Sequence, residues 1–454
     1  MKQTHSLHCH HNRHFIINLS LTILICLVAA GIQPASAAPP TVYYYVDTTI
    51  DSNEPELRVC DSDMSEVNCS LRGAISNARV GSTSVTHLIY IPADIYVLTL
   101  AGSGENNNAT GDLDVSSRNI IMQGEGIDET VITQSGTSDR IIDHSGVDAL
   151  TILDLTVSGG GLGTSSGGGS GIRSTSGSLI LENVRITGNG FTDLPSSDED
   201  IGGGLLVYNT VLYMTGSNID ENEANQGAGM AIYNSYDGPT ATIKTSTIHN
   251  NYTYVGTSAG NGGGIWAGEY SRLDLENVTI AKNYADPGDG GGIYFYDNAA
   301  AKLNHVTLYE NWASHYGHAI AGGYSVHLDV YNSVLYWRFG GYVCHYPAGT
   351  ALDIFSNGRN ITNETGEDHC KLGSFPGIDP VLGELGYYNS VLQVVPLLAG
   401  SPAIDYALPT DPLVTADQRG VLRRIDGDGD GIVEPDAGAY EVGMNFFLPI
   451  IQGP

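Results

Sequence analysis

The chain has 454 residues with 50 Asp and Glu against 19 Lys and Arg, a formal net charge of −31, and such a surface repels nucleic acid and anionic membrane while favouring cations such as Ca²⁺. Glycine contributes 58 residues and charged side chains only 15% of the chain, against roughly 25% charged in an ordinary domain. That balance argues against helices and for many short strands and turns, in a length ample for one elongated repeat domain.

In chain order, Lys2 and Arg13 lead into an almost wholly apolar stretch from Phe15 to Ala30, followed by the small residues Ala35, Ser36 and Ala37. This is the order of a secretory signal peptide, expected over residues 1–38 with cleavage after Ala37 or Ala38. The apolar run is short of the roughly 20 residues a spanning helix needs, and Cys26 has no small residue directly before it, so no lipoprotein anchor and no transmembrane span are expected. The exported chain keeps 17 basic and 50 acidic residues and is expected outside the cell or on its surface.

Four cysteines remain after the signal, Cys60, Cys69, Cys344 and Cys370, and an even number in an exported chain suggests two disulfides. Proximity pairs Cys60 with Cys69 and Cys344 with Cys370, although sequence leaves the other two connectivities open. Neither pair has the spacing of a zinc site. Residues 39–87 read as an N-terminal cap. In CSLRGAISNAR, Cys69 to Arg79, Ser70 is a helix cap, and Leu71, Ala74, Ile75 and Ala78 fall on one helical face. A short amphipathic helix is therefore expected to plug the first coil, pinned by a disulfide at Cys69.

Residues 88–400 are organised as repeats. Aligned on LDLENVTIAKN, Leu273 to Asn283, the column of Leu275 holds Ile152, Leu181, Met214, Ile243, Leu303 and Val330, at spacings of 29, 33, 29, 32, 28 and 27 residues. The column of Ile280 holds Val157, Ile186, Ile219, Ile248, Leu308 and Leu335. Apolar and polar residues alternate within a copy, which is strand periodicity, and the parity slips between Leu275 and Val278, marking a bend between two short strands. Asn283 closes the unit in a column with Asn189, Asn222, Asn251 and Asn311. Asparagine tolerates the left-handed conformation and bonds its neighbours, so these read as stacked turns. Glycine clusters then open another strand, as in GGGI before Trp266 and before Tyr294. Units of this length, without hairpin turns or the roughly 40–45-residue period of a propeller, predict an all-β right-handed parallel β-helix, a pectin-lyase-like solenoid of roughly ten coils. Loops of variable length, such as Phe191 to Ile201, fall on one edge.

The cap and the C-terminal region together resemble known exported proteins. CSLRGAI is similar to the CSLREA motif found near the start of many exported bacterial β-helix proteins, departing from it at Gly73 where the family usually has Glu. In residues 401–454, SPAID (Ser401 to Asp405), DQRG (Asp417 to Gly420) and DAGAYE (Asp436 to Glu441) resemble, in order, the signature of the choice-of-anchor Q domain. The GGGI and Asn columns are similar, more loosely, to the repeats of chlamydial polymorphic outer-membrane proteins. The resemblance implies a surface or extracellular, adhesin-like β-helix protein with no established reaction. The last apolar segment, Phe446 to Ile451, reads either as a sorting tail or as a final strand.

The best-defined candidate site is DGDGDGIVEPD, Asp426 to Asp436. Carboxylates at Asp426, Asp428 and Asp430, with Gly431 permitting a sharp turn, present several hard oxygens to Ca²⁺, and Glu434 or Asp436 is placed to complete the shell. Ala437 stands where an EF-hand would need Glu, so the loop resembles thrombospondin type-3 calcium loops, with a solvated acidic turn as the alternative and a structural role expected for the ion. On the strand after the glycines, inward parity at Leu205, Met230 and Ile293 puts Tyr208, Tyr233, Trp266, Tyr294 and Tyr296 outside. Such a ridge can stack on sugar rings or a partner protein, although tyrosine is also simply a good strand residue. Parallel β-helices also carry pectate lyases and polygalacturonases, so an extracellular polysaccharide lyase or hydrolase is the alternative to a non-catalytic binding protein. Its traces are thin. Arg140 to His144 has a superficial likeness to a lyase W-I-D-H element without an Arg-rich catalytic strand, Gly317-His318-Ala319 stands for a G-H-G without carboxylate partners, and Asp198, Glu199 and Asp200 form a charge run in a variable loop.

Overall fold

The computed structural model describes residues 39–443 apart from 63–65, 117, 137–138, 163–166, 192–200, 236–239, 255–259, 340–341, 347–352, 365–369, 371, 373–376 and 411–412. The segment expected to be a signal peptide, the Asp198 to Asp200 run and the Phe446 to Ile451 tail lie outside the described residues. Among the described residues, no helix is long and apolar enough to cross a membrane.

The sequence columns are ladders of paired strands. Ile152, Leu181, Met214, Ile243, Leu275, Leu303 and Val330 pair Cα to Cα with the copy on the adjacent coil, all in parallel register. Ile186, Ile219, Ile248, Ile280, Leu308 and Leu335 do the same one bend later. These side chains are at most 2% exposed, so each contributes about 1.5–3 kcal/mol of apolar burial to a core shared with its neighbours above and below. Both columns belong to a nineteen-stranded sheet; a nine-stranded sheet runs through the strands after the glycines, and a four-stranded sheet through the short strands after the Asn column. The winding is that of a right-handed parallel β-helix. Nine strands span eight turns in the smaller sheet, and the larger sheet stacks two further rungs before them, Thr41–Tyr45 and Thr86–Tyr90, in keeping with the roughly ten coils expected; residues after Thr362 leave the stack.

Two turn columns hold the coil cross-section. At the bend, Asp154, Asn183, Thr245, Asn277, His305 and Asn332 have φ between +43° and +54°; one left-handed residue reverses the pleat and returns Val278 and its equivalents to the inside. The asparagine column works differently from expectation. The left-handed residues there are the preceding ones, Glu221, Asn250, Lys282 and Glu310, whereas the column asparagines contribute their side chains. Asn222 donates its backbone N–H at 3.1 Å and its Nδ2 at 2.9 Å to Asn251 Oδ1, and Asn251 repeats both bonds to Asn283 at 3.1 and 2.9 Å. Each Nδ2 also reaches a strand carbonyl, as Asn251 does to Ile219 at 3.0 Å. A buried amide ladder thus satisfies the turn donors that water cannot reach.

The N-terminal cap contains the helix α1, Leu71–Val80, whose N-cap Ser70 accepts from Gly73 N at 2.9 Å. Leu71, Ala74, Ile75 and Ala78 are buried against the core. Arg72 is 1% exposed; it pairs with Asp51 at 2.6 Å and donates to the Asp112 and Gly111 carbonyls at 2.7 and 2.8 Å. The glycine at position 73 has a steric cause: a Cβ there would lie 2.1 Å from the Leu57 carbonyl oxygen. Cys60 and Cys69 are joined by a disulfide, as are Cys344 and Cys370.

After Thr362 the chain turns back along the nineteen-stranded sheet. Gln418 bonds Thr247 Oγ1 at 2.7 Å and Thr279 Oγ1 at 2.5 Å, Ala439 N donates to Thr307 Oγ1 at 2.9 Å, and Asn332 exchanges two bonds with Leu408 at 2.7 and 3.0 Å. Thr247, Thr279 and Thr307 are register partners on consecutive coils, so this segment reads an outward threonine column as a binding track.

Candidate functional site

Four strands build the aromatic face: Leu205–Tyr208, Met230–Tyr233, Ile265–Ala267 and Ile293–Phe295, paired in register. Their inward residues are buried, which leaves Tyr208 above Tyr233 and Trp266 above Tyr294 on the outside. The rings form a row: Tyr208 to Tyr233 at 4.6 Å between centroids, Tyr233 to Trp266 at 6.0 Å and Trp266 to Tyr296 at 6.0 Å. Gly268 makes the row continuous. A Cβ on it would sit 2.5 Å from both the Trp266 ring and Tyr233 Cβ, so the missing side chain is what allows the indole to lean across. Tyr296 is 44% exposed. Tyr294 is half-buried, and burial first, then Asp289 and Asp297, push its phenol up to about 12; it backs the row more than it presents a surface.

A separate aromatic group that the sequence pattern did not bring out lies farther along the same sheet, with Tyr316 stacked on His345 at 4.3 Å and edge-on to Tyr342 at 5.2 Å. His345 shares the register column of Trp266 and Tyr294 through Ala321. A second ladder, Tyr252 to Tyr284 to Trp312 at 6.1 and 6.3 Å, runs along the four-stranded sheet. Its signal was available, since each of these residues immediately follows an asparagine of the column.

The acidic loop gathers differently from expectation. Asp426, Asp428 and Asp430 each present a carboxylate oxygen within 4.8 Å of the others, and the fourth member is Asp405 of SPAID. Neither Glu434 nor Asp436 joins this group. Asp436 is fully buried, with its two oxygens accepting from Asp405 N at 2.7 Å and Val442 N at 2.6 Å; burial first, then Glu441, push its carboxyl up to about 8. Its place is structural. Asp436 N and the Arg423 guanidinium both bond Glu441 Oε2, at 2.9 and 3.2 Å, while Asp417 takes Glu441 N at 2.9 Å and pairs with Arg419 at 2.7 Å. The three C-terminal motifs therefore interlock in one buried knot that no local pattern could have assembled.

The residues with a likeness to lyase and hydrolase elements make structural contacts. His144 points inward to Ser174 Oγ at 2.7 Å, and burial pushes it down to about 4. His318 accepts from Ala313 N at 3.1 Å, stacks on Trp337 at 4.5 Å and is likewise pushed down to about 4 by burial. Arg140 is 4% exposed among Asp112, Asp139 and Asp143.

Residues 116–335 match the family model described as right handed beta helix region. Among solved structures the chain is similar to pectate lyase Pel9A, at 14% identity over 90% of this chain and 97% of that one with a TM-score of 0.42. It is also similar to ORF18 of Geobacillus virus E2, at 12% identity over 70% of this chain and 62% of that one with a TM-score of 0.36. No curated protein matches the chain. By fold, the chain is a right-handed parallel β-helix.

Proposed function

We propose that this chain is an exported, non-catalytic binding module that holds an extracellular glycan along the aromatic face of its nine-stranded sheet. The observation that carries this reading is the row Tyr208, Tyr233, Trp266 and Tyr296, with centroids 4.6 to 6.0 Å apart on consecutive coils. Aromatic faces at this repeat suit stacking against successive sugar rings, each contact adding to one extended surface. The net charge of −31 favours neutral saccharides over polyanions. The export and surface location expected from the sequence, and the resemblance to CSLREA and choice-of-anchor Q proteins, agree with this role. The test is a glycan array followed by titration of the retained glycan against wild type and Trp266→Ala. Retention without turnover, weakened about tenfold or more in the variant, supports the reading. Unsaturated or new reducing ends released from acidic polysaccharides, with or without Ca²⁺, would overturn it in favour of a lyase or hydrolase, and capture of a protein with no glycan bound would overturn the choice of ligand.

We also propose that the Asp426 loop binds a structural Ca²⁺. The donor set fits: four carboxylates converge, and Asp426, Asp428 and Asp430 already turn the loop by accepting from Gly429 N at 2.7 Å, Asp430 N at 3.0 Å and Ile432 N at 2.7 Å. Asp405 reaches in from SPAID and accepts from Gly427 N at 3.1 Å. Hard oxygens alone, on a glycine-rich turn, suit Ca²⁺ over softer metals.

A further inference from the structure

A second group of carboxylates lies at the opposite end of the repeats. Strand Leu113–Ser116 pairs with Ile142–Ser145 so that Asp114 sits directly beside Asp143 on the next coil. Asp112 precedes that strand, and the three present carboxylate oxygens within 4.8 Å of one another. None is more than 4% exposed. Like charges stacked on adjacent strands repel, and burial sharpens the repulsion because water no longer screens it.

The surrounding cations compensate only part of this. Arg140 Nη1 is 3.1 Å from Asp112 and 3.8 Å from both Asp139 and Asp143, and Arg173 pairs with Asp143 from the following coil. Two guanidiniums thus pair directly within the group of four carboxylates, Asp112, Asp114, Asp139 and Asp143, while Arg79 acts on Asp114 from farther off and is opposed there by Glu105. Independently of charge, two buried oxygens here have no hydrogen-bond partner among the described residues: Asp112 Oδ1 and Asn108 Oδ1. Asn108 is fully buried, with its backbone N–H bonded to Asp114 Oδ2 at 2.7 Å. An acceptor left bare in the interior costs about 1–3 kcal/mol, more for a charged one, and both bare groups are acceptors. The complement such a site lacks is a positive charge, and carboxylates with an amide carbonyl are hard oxygen ligands.

We propose that Asp112, Asp114 and Asp143, with Asn108, hold a divalent, oxygen-preferring cation of the Ca²⁺ class that fastens the N-terminal cap to the first coils. The location gives the ion that role. Arg72 of the capping helix donates to the Asp112 and Gly111 carbonyls, and Asn108 Nδ2 donates to Arg72 O and Ser76 Oγ, both at 2.9 Å. A cation here locks residues 105–114 between α1 and the first strand of the nine-stranded sheet. The rival occupant is protons on the carboxyls.

The experiment strips the purified chain with chelator, re-equilibrates it at pH 8 with Ca²⁺ alone, and counts bound ions per chain by calorimetry and elemental analysis. In an Asp428→Asn background, which disables the C-terminal loop, one ion remains bound, and adding Asp114→Asn removes it. Full loss of Ca²⁺ in Asp428→Asn alone would overturn the proposal, as would retention of the remaining ion in the double variant. Should Asp114→Asn fail to fold, hydrogen exchange on the unmodified chain decides the matter: Ca²⁺ slows exchange in peptides covering 105–116 by tenfold or more. Slowing confined to 426–436 would overturn it and leave the buried carboxyls to protons, whereas slowing at 105–116 alone would sink the C-terminal loop proposal and leave this one standing.

Discussion

Replacing Asn251 by Ala tests the amide ladder as the element that fixes the coil corner. Asn251 is fully buried. Its Oδ1 accepts from Asn222 N and Nδ2 at 3.1 and 2.9 Å, and its Nδ2 donates to the Ile219 carbonyl at 3.0 Å, the His249 carbonyl at 3.1 Å and Asn283 Oδ1 at 2.9 Å. Alanine deletes all five bonds and takes a partner from two donors and three acceptors where water does not reach. At about 1 kcal/mol net per lost bond, with shared donors and relaxation reducing the sum, the cost is roughly 3–5 kcal/mol. In a solenoid such a loss weakens the interfaces to the coils above and below, so urea unfolding followed by circular dichroism should show an earlier transition or the appearance of two. The neighbouring Asn250→Gly serves as control, since Asn250 has φ +53° and glycine adopts that conformation freely; it should change stability by less than about 1 kcal/mol. An Asn251→Ala variant within about 1 kcal/mol of wild type would refute the ladder argument.

Gly73→Ala should destabilise the cap by roughly 1–3 kcal/mol, because its Cβ meets the Leu57 carbonyl oxygen at 2.1 Å; an unchanged melting temperature with native helix content would contradict this. His249 is pushed down to about 4, chiefly by burial. A folded value below the unfolded 6.5 means that the neutral ring stabilises the fold above pH 6.5 and that this contribution, at most roughly 3 kcal/mol, is lost as pH falls towards 4. His249→Leu should therefore lose less stability than wild type between pH 7 and 4.5, and an identical loss would count against the buried neutral ring. Chelation with EDTA should lower the melting temperature of the wild type by several degrees, and Asp428→Asn should shrink that shift. A shift untouched by Asp428→Asn would remove Ca²⁺ from the C-terminal loop.

The sequence by itself determined the coil. Columns such as Leu275 and Ile280 could be aligned because a parallel β-helix repeats one environment at each turn, and every paired position in those columns is the partner the spacing implied. The parity slip before Val278 marked a bend for the same reason, and Ser70 with Leu71, Ala74, Ile75 and Ala78 marked the capping helix because capping and helical periodicity are local. What only the tertiary structure decided are relations between distant segments. Asp405 replaces Glu434 and Asp436 in the acidic loop because SPAID is brought against it by a bond between Asp405 N and Asp436, 31 residues apart in sequence. Left-handed geometry sits one residue before each column asparagine because the amide is needed for bonding to the next coil. The outward threonines Thr247, Thr279 and Thr307 look like ordinary solvent-facing strand residues until the C-terminal segment covers them. Periodicity records which face is inside; it carries no trace of what folds back onto the outside, because those contacts are made once, by residues 130 or more positions away, and are repeated in no column.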